Sequence, residues 1–312
     1  MKVVGVIEFG GPEALQVVEV PDVHAGPGEV RIRVHAAAVN PTDTFTRNGA
    51  RAEMLRQDPP PYVAGMDAAG VIDEIGPGGP GDLAIGDHVM AIIVPHGSHG
   101  AYSEQIVAPY ESVVHTPKGA SDIEACTLPM NALTARLALD LLALRPGQTL
   151  AVTGAAGAFG GYVVQLAKAD GLRVIADASA ADIELVRHLG ADEVVARGDD
   201  VADRIRAIVN DGVDGLADGA LLNTLALAAI RDGGALAAVR GFQGETERGI
   251  TVHSVWVRAY AKERAKLDRI RQQVEDGAVT MRVARTFPKE QAGEAQRILA
   301  AGGTRGRLVL EF

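Results

Sequence analysis

The run from Thr149 to Ser179, TLAVTGAAGAFGGYVVQLAKADGLRVIADAS, constrains the fold more than any other part of the chain. It reads as a buried apolar strand, a glycine-rich turn, a helix with Tyr162, Val163, Leu166 and Ala167 at helical spacing, and a second strand. Gly154, Gly157 and Gly160 stand three apart at the strand-to-helix junction. Backbone without Cβ turns tightly there and lets an anion approach, while the first helix amides and the helix dipole favour negative charge. The spacing is G-x-x-G-x-x-G rather than the usual G-x-G-x-x-G, so the strand before and the helix after carry much of the inference. A dinucleotide is the leading ligand, and a ligand-free βα turn is the alternative.

A chain of 312 residues exceeds the usual single-domain size, so two domains are expected. From Met1 to about Val114 short strands (KVVGVIEF, LQVVEV, EVRIRVHAAAV, AGVIDEIG, DHVMAII, AYSEQIVA) alternate with turns such as GPGE and GPGGPGD. That pattern suits a compact β domain or barrel. After Lys118, Ser121 and Glu124 stand in capping-box spacing ahead of a helical stretch, and repeated strand–helix units follow. Such alternation predicts an α/β domain, a doubly wound parallel sheet with helices on both faces, over residues 121–255. The chain ends with a charged helix, a strand near RVARTF, another helix and the strand RLVLEF. A terminal strand of this kind is expected to rejoin the first sheet, so residues 256–312 complete the domain begun by residues 1–120.

A hydrophobic content of 47%, a charged content of 22% and no apolar run of membrane length exclude a disordered chain and a membrane span. The net charge of −10, without a clustered basic surface, argues against nucleic acid as a partner. The single cysteine, Cys126, rules out an internal disulfide framework or a cysteine-rich zinc site and reads as a small core residue. No secretory signal is legible at the amino terminus, so a cytoplasmic location is expected.

In a dinucleotide fold, an acidic residue about 20 positions beyond the glycines binds the ribose hydroxyls and selects NAD. Asp177 is near that place, and either faces the ribose or is an exposed strand-terminal residue. A 2′-phosphate needs a cation, which Arg197 after the strand EVVA supplies beside Ser179. NADPH is therefore expected ahead of NADH.

The segments AAVNPTDTFTRNG, GMDAAGVIDEIG, GDHV, GAYSEQIV, LPMNALTA, TGAAGAFGG, HLGADEVV and GRLVL occur in an order and spacing that resemble the zinc-independent, zeta-crystallin-like quinone oxidoreductases of the medium-chain dehydrogenase/reductase superfamily. The resemblance covers nearly the whole chain. It implies a GroES-like β-barrel-type domain built from both chain ends, a Rossmann domain between them, and an active site in the cleft. Zinc-dependent relatives place cysteine, histidine and glutamate where Asn40, Met66 and Asp67 stand, and carry a four-cysteine lobe that is missing here. No zinc or other metal is expected.

By the same resemblance, Asn40 faces nicotinamide and substrate as the catalytic residue, and Asp43 and Asp67 shape the site without acting as acid or base. Phe45, where many relatives have tyrosine, is either an apolar stacking surface for substrate or a core aromatic. Cofactor contacts fall to Asn40, Asn131, Thr134, Gly154, Ala155, Gly157, Ala158, Phe159, Gly160, Ser179 and Arg197. His96 and His99 suggest a loop in which His99 reaches substrate rather than a metal pair. The implied reaction is NADPH-dependent hydride transfer to a quinone or α,β-unsaturated carbonyl. The alternatives are a reductase of a specialised-metabolite enone and a crystallin-like nucleotide-binding protein with little turnover. A homodimer is implied, with GALAAV or ITVHSVWV as candidate edge and Trp256 as interface anchor or core.

Overall fold

The amino-terminal pattern folds as β1 (Lys2–Val6), β2 (Gln16–Glu19), β3 (Glu29–Ala38), β4 (Tyr62–Val63), β5 (Asp67–Ile75), β6 (His88–Ile92), β7 (Gln105–Pro109) and β8 (Val113–His115). This is a computed structural model that describes residues 1–79 and 81–312; Pro80 of the GPGGPGD turn lies outside them. Short helices α1 (Asp43–Arg47), α2 (Ala52–Leu55) and α3 (Asp122–Ala125) interrupt the strands. Along β3, Val30, Ile32 and Val34 are buried while Arg31, Arg33 and His35 are not, the period-two alternation of a sheet with one packed face. Pairing of β3 with β5 slips between Val34 and Ala36, leaving His35 as the extra residue of a bulge. Gly70 permits it, since a Cβ there would sit 2.0 Å from the Arg33 carbonyl oxygen.

The next segment forms α4 (Pro129–Leu142), β9 (Thr149–Thr153), α5 (Ala158–Ala169), β10 (Arg173–Ala178), α6 (Ile183–His188), β11 (Glu193–Ala196), α7 (Val201–Ile208), β12 (Val213–Asp218), α8 (Thr224–Leu227), β13 (Ile230–Val239) and β14 (Thr251–Val255). Its strands make one sheet in the order β11-β10-β9-β12-β13-β14, and every pairing is parallel. Counted from β9, that order is 3-2-1-4-5-6, the doubly wound dinucleotide-binding topology. Ala151, Ile175, Leu216 and Leu236 are fully buried in its core with Ile205 of α7. In the segment ALAAIRDGGALAAVRG helix ends at Leu227 and β13 begins at Ile230. GALAAV is interior, between β12 and β14; ITVHSVWV supplies the edge strand.

The chain then forms α9 (Arg264–Glu275), β15 (Val283–Pro288), α10 (Ala292–Ala301) and β16 (Arg307–Glu311). As the terminal apolar run implies, β16 returns to the first sheet, antiparallel to β3 with Val309 opposite Ala38. That sheet runs β15-β16-β3-β5-β6-β8, with β7 also on β3, beside a smaller sheet β2-β1-β4. Ile32, Ile72, Tyr102, Phe287 and Leu310 share its core. The chain divides into two units: residues 1–130, 261–275 and 280–312, and residues 131–260 with 276–279. The division falls ten residues beyond the sequence boundary at 120 because α3 packs on β3, β5 and β6.

Candidate functional site

In the second unit, the three glycines of the β9–α5 turn have three different physical jobs. Gly154 has φ +67°, a left-handed conformation that side chains resist. Gly160 lies so near the strand end that a Cβ would come within 2.4 Å of the Gly154 carbonyl oxygen and 2.8 Å of Ala155 Cα. Gly157 begins α5 with an extended backbone, and a Cβ there would meet only the Gly154 oxygen, at 3.1 Å. Tight turn, open approach and close helix–strand packing are the three requirements of a pyrophosphate cradle, and the unusual spacing meets them. Ala155 is fully buried beneath this turn, while Ala158 and Phe159 open the helix. The cradle sits at the end of the first strand, where the strand order reverses.

The carboxyl ends of neighbouring strands converge on the same edge of the sheet. Asp177 of β10 accepts the Ala155 N–H at 3.2 Å and is 6% exposed. It is therefore neither a solvent-exposed strand end nor a carboxylate turned outward; burial pushes it above the usual range, against the Ala155 and Gly154 amides and Arg197. Ser179 donates its hydroxyl to Asp182, and the Arg197 N–H donates to the Ala178 carbonyl, so Ser179 and Arg197 flank the end of β10. Arg197 is exposed. At the end of β12, Asp218 accepts the Thr153 hydroxyl at 2.7 Å and the Asn223 N–H at 2.9 Å. Leu221, Asn223 and Arg240 have φ of 62°, 54° and 64°, so left-handed backbone gathers just beyond β12 and β13. Such conformations cost about 1–3 kcal/mol each and collect at ligand sites.

The first unit holds a buried polar network. Asn40 follows β3 and donates its Nδ2–H to Asp67 Oδ2 at 2.8 Å, while its Oδ1 accepts from Arg307 Nη2 at 2.6 Å. Arg307 also pairs with Asp67 at 3.3 Å. Asp67 Oδ1 accepts the Met130 N–H at 2.6 Å. Asp43 accepts the Asn40 N–H at 2.8 Å and the Tyr102 hydroxyl at 2.9 Å on one oxygen. Burial pushes Asp43 up to about 7, opposed by those two donors. It also raises Asp67, opposed by Arg307 and Asn40. The carboxamide expected to face nicotinamide and substrate is thus 0% exposed and engaged by two charged side chains.

The alcohol dehydrogenase GroES-like domain family matches residues 26–118, and the zinc-binding dehydrogenase family matches residues 189–310. A 2-haloacrylate reductase from a Burkholderia species is 30% identical, over 96% of this chain and 96% of that protein. The mouse quinone oxidoreductase is 30% identical over 99% and 97%. A crystal structure of an NAD-dependent alcohol dehydrogenase superposes with a TM-score of 0.88 at 30% identity, each chain covered completely. The chain belongs to the quinone oxidoreductases of the medium-chain dehydrogenase/reductase superfamily.

The family is one of oxidoreductases served by a nicotinamide cofactor, and the second unit's turn fits that group. Zinc fits poorly at Asn40, Met66 and Asp67, the positions where the resemblance places the ligands of zinc-dependent relatives. The family's ligand positions hold the Asn40 carboxamide and the Met66 thioether, whose sulfur accepts from Thr42 at 3.8 Å, while Asp67 is committed to Arg307 and Met130. A tetrahedral thiolate–imidazole set cannot be assembled from them. Phe45 on α1 is half-buried with the Arg51 guanidinium 5.2 Å above its ring. His99 is partly buried and stacked on His96 at 4.9 Å, and burial followed by the His96 charge pushes it down to about 4. Asn131 and Thr134 lie on α4, 7% and 8% exposed. Sequence reasoning missed Arg307 and Tyr102. The one available signal for Arg307 was a cation just ahead of the apolar run Leu308, Val309 and Leu310 in the terminal strand.

Proposed function

We propose that this oxidoreductase is an NADPH-dependent, zinc-independent reductase that transfers hydride to a quinone or an α,β-unsaturated carbonyl. The observation that carries the reading is the glycine cradle at the reversal of strand order, with Asp177 drawn beneath it. A carboxylate held by turn amides leaves Arg197 and Ser179 to meet the adenosine ribose. Their cation and hydroxyl suit a 2′-phosphate. Nicotinamide supplies the hydride when bound. The first α5 amides hold the pyrophosphate, Asn131 and Thr134 orient the nicotinamide, and Phe45 and His99 contact substrate. With His99 neutral at physiological pH, its ring is available as a hydrogen-bond partner for an acceptor oxygen. Asn40 acts as a positioning residue, fixing Asp67 and Arg307.

Relatives named 2-haloacrylate reductase, quinone oxidoreductase and trans-enoyl reductase support an electron-poor carbon as acceptor. A homodimer through β14 is consistent with its place at the sheet edge and with Trp256, 54% exposed just after it. NADPH oxidation at 340 nm, with a benzoquinone, an ortho-quinone, an enal, an enone and a 2-haloacrylate, tests the reading. Turnover with at least one acceptor is expected. Tight NADPH binding without oxidation by any of them points instead to a nucleotide-binding protein.

A further inference from the structure

His35, His88 and Asp122 in the first unit stand apart from the residues so far assigned. Among the described residues they form the one group of three histidine, cysteine or carboxylate side chains whose ligand atoms all lie within 4.8 Å of one another. His35 Nδ1 lies 2.7 Å from Asp122 Oδ2, and His88 Nδ1 lies 3.0 Å from Oδ1. The two rings meet edge to face with centroids 6.2 Å apart. Three separate elements bring them together. His35 is the bulged residue of β3, and a bulge re-aims a side chain relative to the regular pleat. His88 opens β6, two strands away. Asp122 is held by the capping box in which Ser121 and Glu124 satisfy each other's backbone.

We propose that these residues form a binding site for a borderline divalent cation such as Zn2+. Two imidazole nitrogens and one carboxylate oxygen are a donor set that such ions favour over calcium or magnesium. Ligand atoms around one tetrahedral zinc lie about 3.4 Å apart, given bonds of about 2.0–2.2 Å. Asp122 is already inside that spacing with both rings, so an ion entering between them replaces the N–H···O contacts and needs only small ring shifts. The histidine side chains are 38% and 58% exposed, which permits those shifts and leaves the fourth coordination position to water. The Asp122 side chain, 9% exposed, is the fixed point. The site shares no residue with Asn40, Met66 and Asp67. Bound metal cross-links α3, β3 and β6.

The test uses the full-length protein freed of metal by chelation and then dialysed. Co2+ titration is expected to give one visible d–d absorption band at one equivalent, and calorimetry one Zn2+ event. His88→Ala, an exposed position where folding is not at stake, is expected to weaken both at least about 100-fold, as is His35→Ala. His115→Ala and the His96→Ala/His99→Ala pair are expected to leave both unchanged. No band and no binding heat in the unaltered protein overturn the proposal. So does binding that survives in His88→Ala or is lost in the His96→Ala/His99→Ala pair.

Discussion

The two units solve the problem of holding polar groups in opposite ways. In the second, the cradle is made of backbone, with Gly154, Gly157 and Gly160 all inside seven residues. In the first, the network is made of side chains from distant parts of the chain: Asn40 meets Asp67 across 27 positions and Arg307 across 267. A backbone site is a local property of sequence, and a change in it acts mainly on the ligand or the turn. A buried charge network is a property of the whole unit, and a change in it acts first on folding.

The sharpest way to break that contrast is Arg307→Met. Removing one partner of a buried ion pair leaves the other charge uncompensated, and Asp67 is 0% exposed. A loss of about 3–5 kcal/mol in urea unfolding is expected, and Arg307→Met combined with Asp67→Asn should recover part of it. A double variant as unstable as the sum of the singles would show that the pair is not coupled.

The pH dependence of stability comes next. Folded Asp43 keeps its proton to a pH of about 7, whereas its ordinary value is 3.8. Between those values the folded chain binds the extra proton, so stability falls as pH rises, by roughly 4 kcal/mol. His99, pushed down to about 4 from 6.5, works the other way: its contribution is lost as pH falls through that window. Asp43→Asn should remove the decline toward neutral pH and leave the acid-side loss from His99. Identical slopes for Asp43→Asn and the unaltered protein between pH 5 and about 8 would remove Asp43 from the account.

The glycines separate folding from binding within one turn. Gly160→Ala pushes a Cβ into backbone at 2.4 Å and should cost about 1–3 kcal/mol of stability along with cofactor binding. Gly157→Ala meets a single atom at 3.1 Å, so its stability should stay within about 1 kcal/mol while NADPH affinity falls. Unfolding curves and fluorescence titration read the two effects. Equal losses of stability would contradict the division of labour among the glycines.

What was legible in the sequence follows the same division. The turn, its helix, the parallel sheet and the return of the last strand are all written in local periodicity and punctuation. So is the Ser121–Glu124 capping box. Asn40 was visible by its neighbours, but its burial was not, because that depends on Arg307 arriving from the far end of the chain. Asp177 was placed correctly along its strand and left open in direction. Its rotamer is set by the Ala155 amide beneath it, a contact between two strand ends that no spacing rule encodes. The boundary between the units was blurred for a similar reason: α3 looks like the start of a helical domain, yet its packing partners are β3, β5 and β6.

The smallest expected effect is at the cofactor's ribose, and it asks whether the second unit's recognition is wholly a backbone matter. Arg197 is exposed, so its attraction to a 2′-phosphate is screened and should be worth about tenfold in affinity, or 1.4 kcal/mol. Arg197→Ala should therefore weaken NADPH binding about tenfold and leave NADH unchanged, with the turn and its stability untouched. The Asp177 carboxylate adds a second handle. Asp177→Asn keeps an acceptor for the Ala155 amide but removes a negative charge that interacts with Arg197, so it should shift preference toward NADPH. If both variants bind NADPH and NADH in the original ratio, the side chains at the end of β10 do not choose the cofactor, and the glycine cradle is the whole of the second unit's recognition.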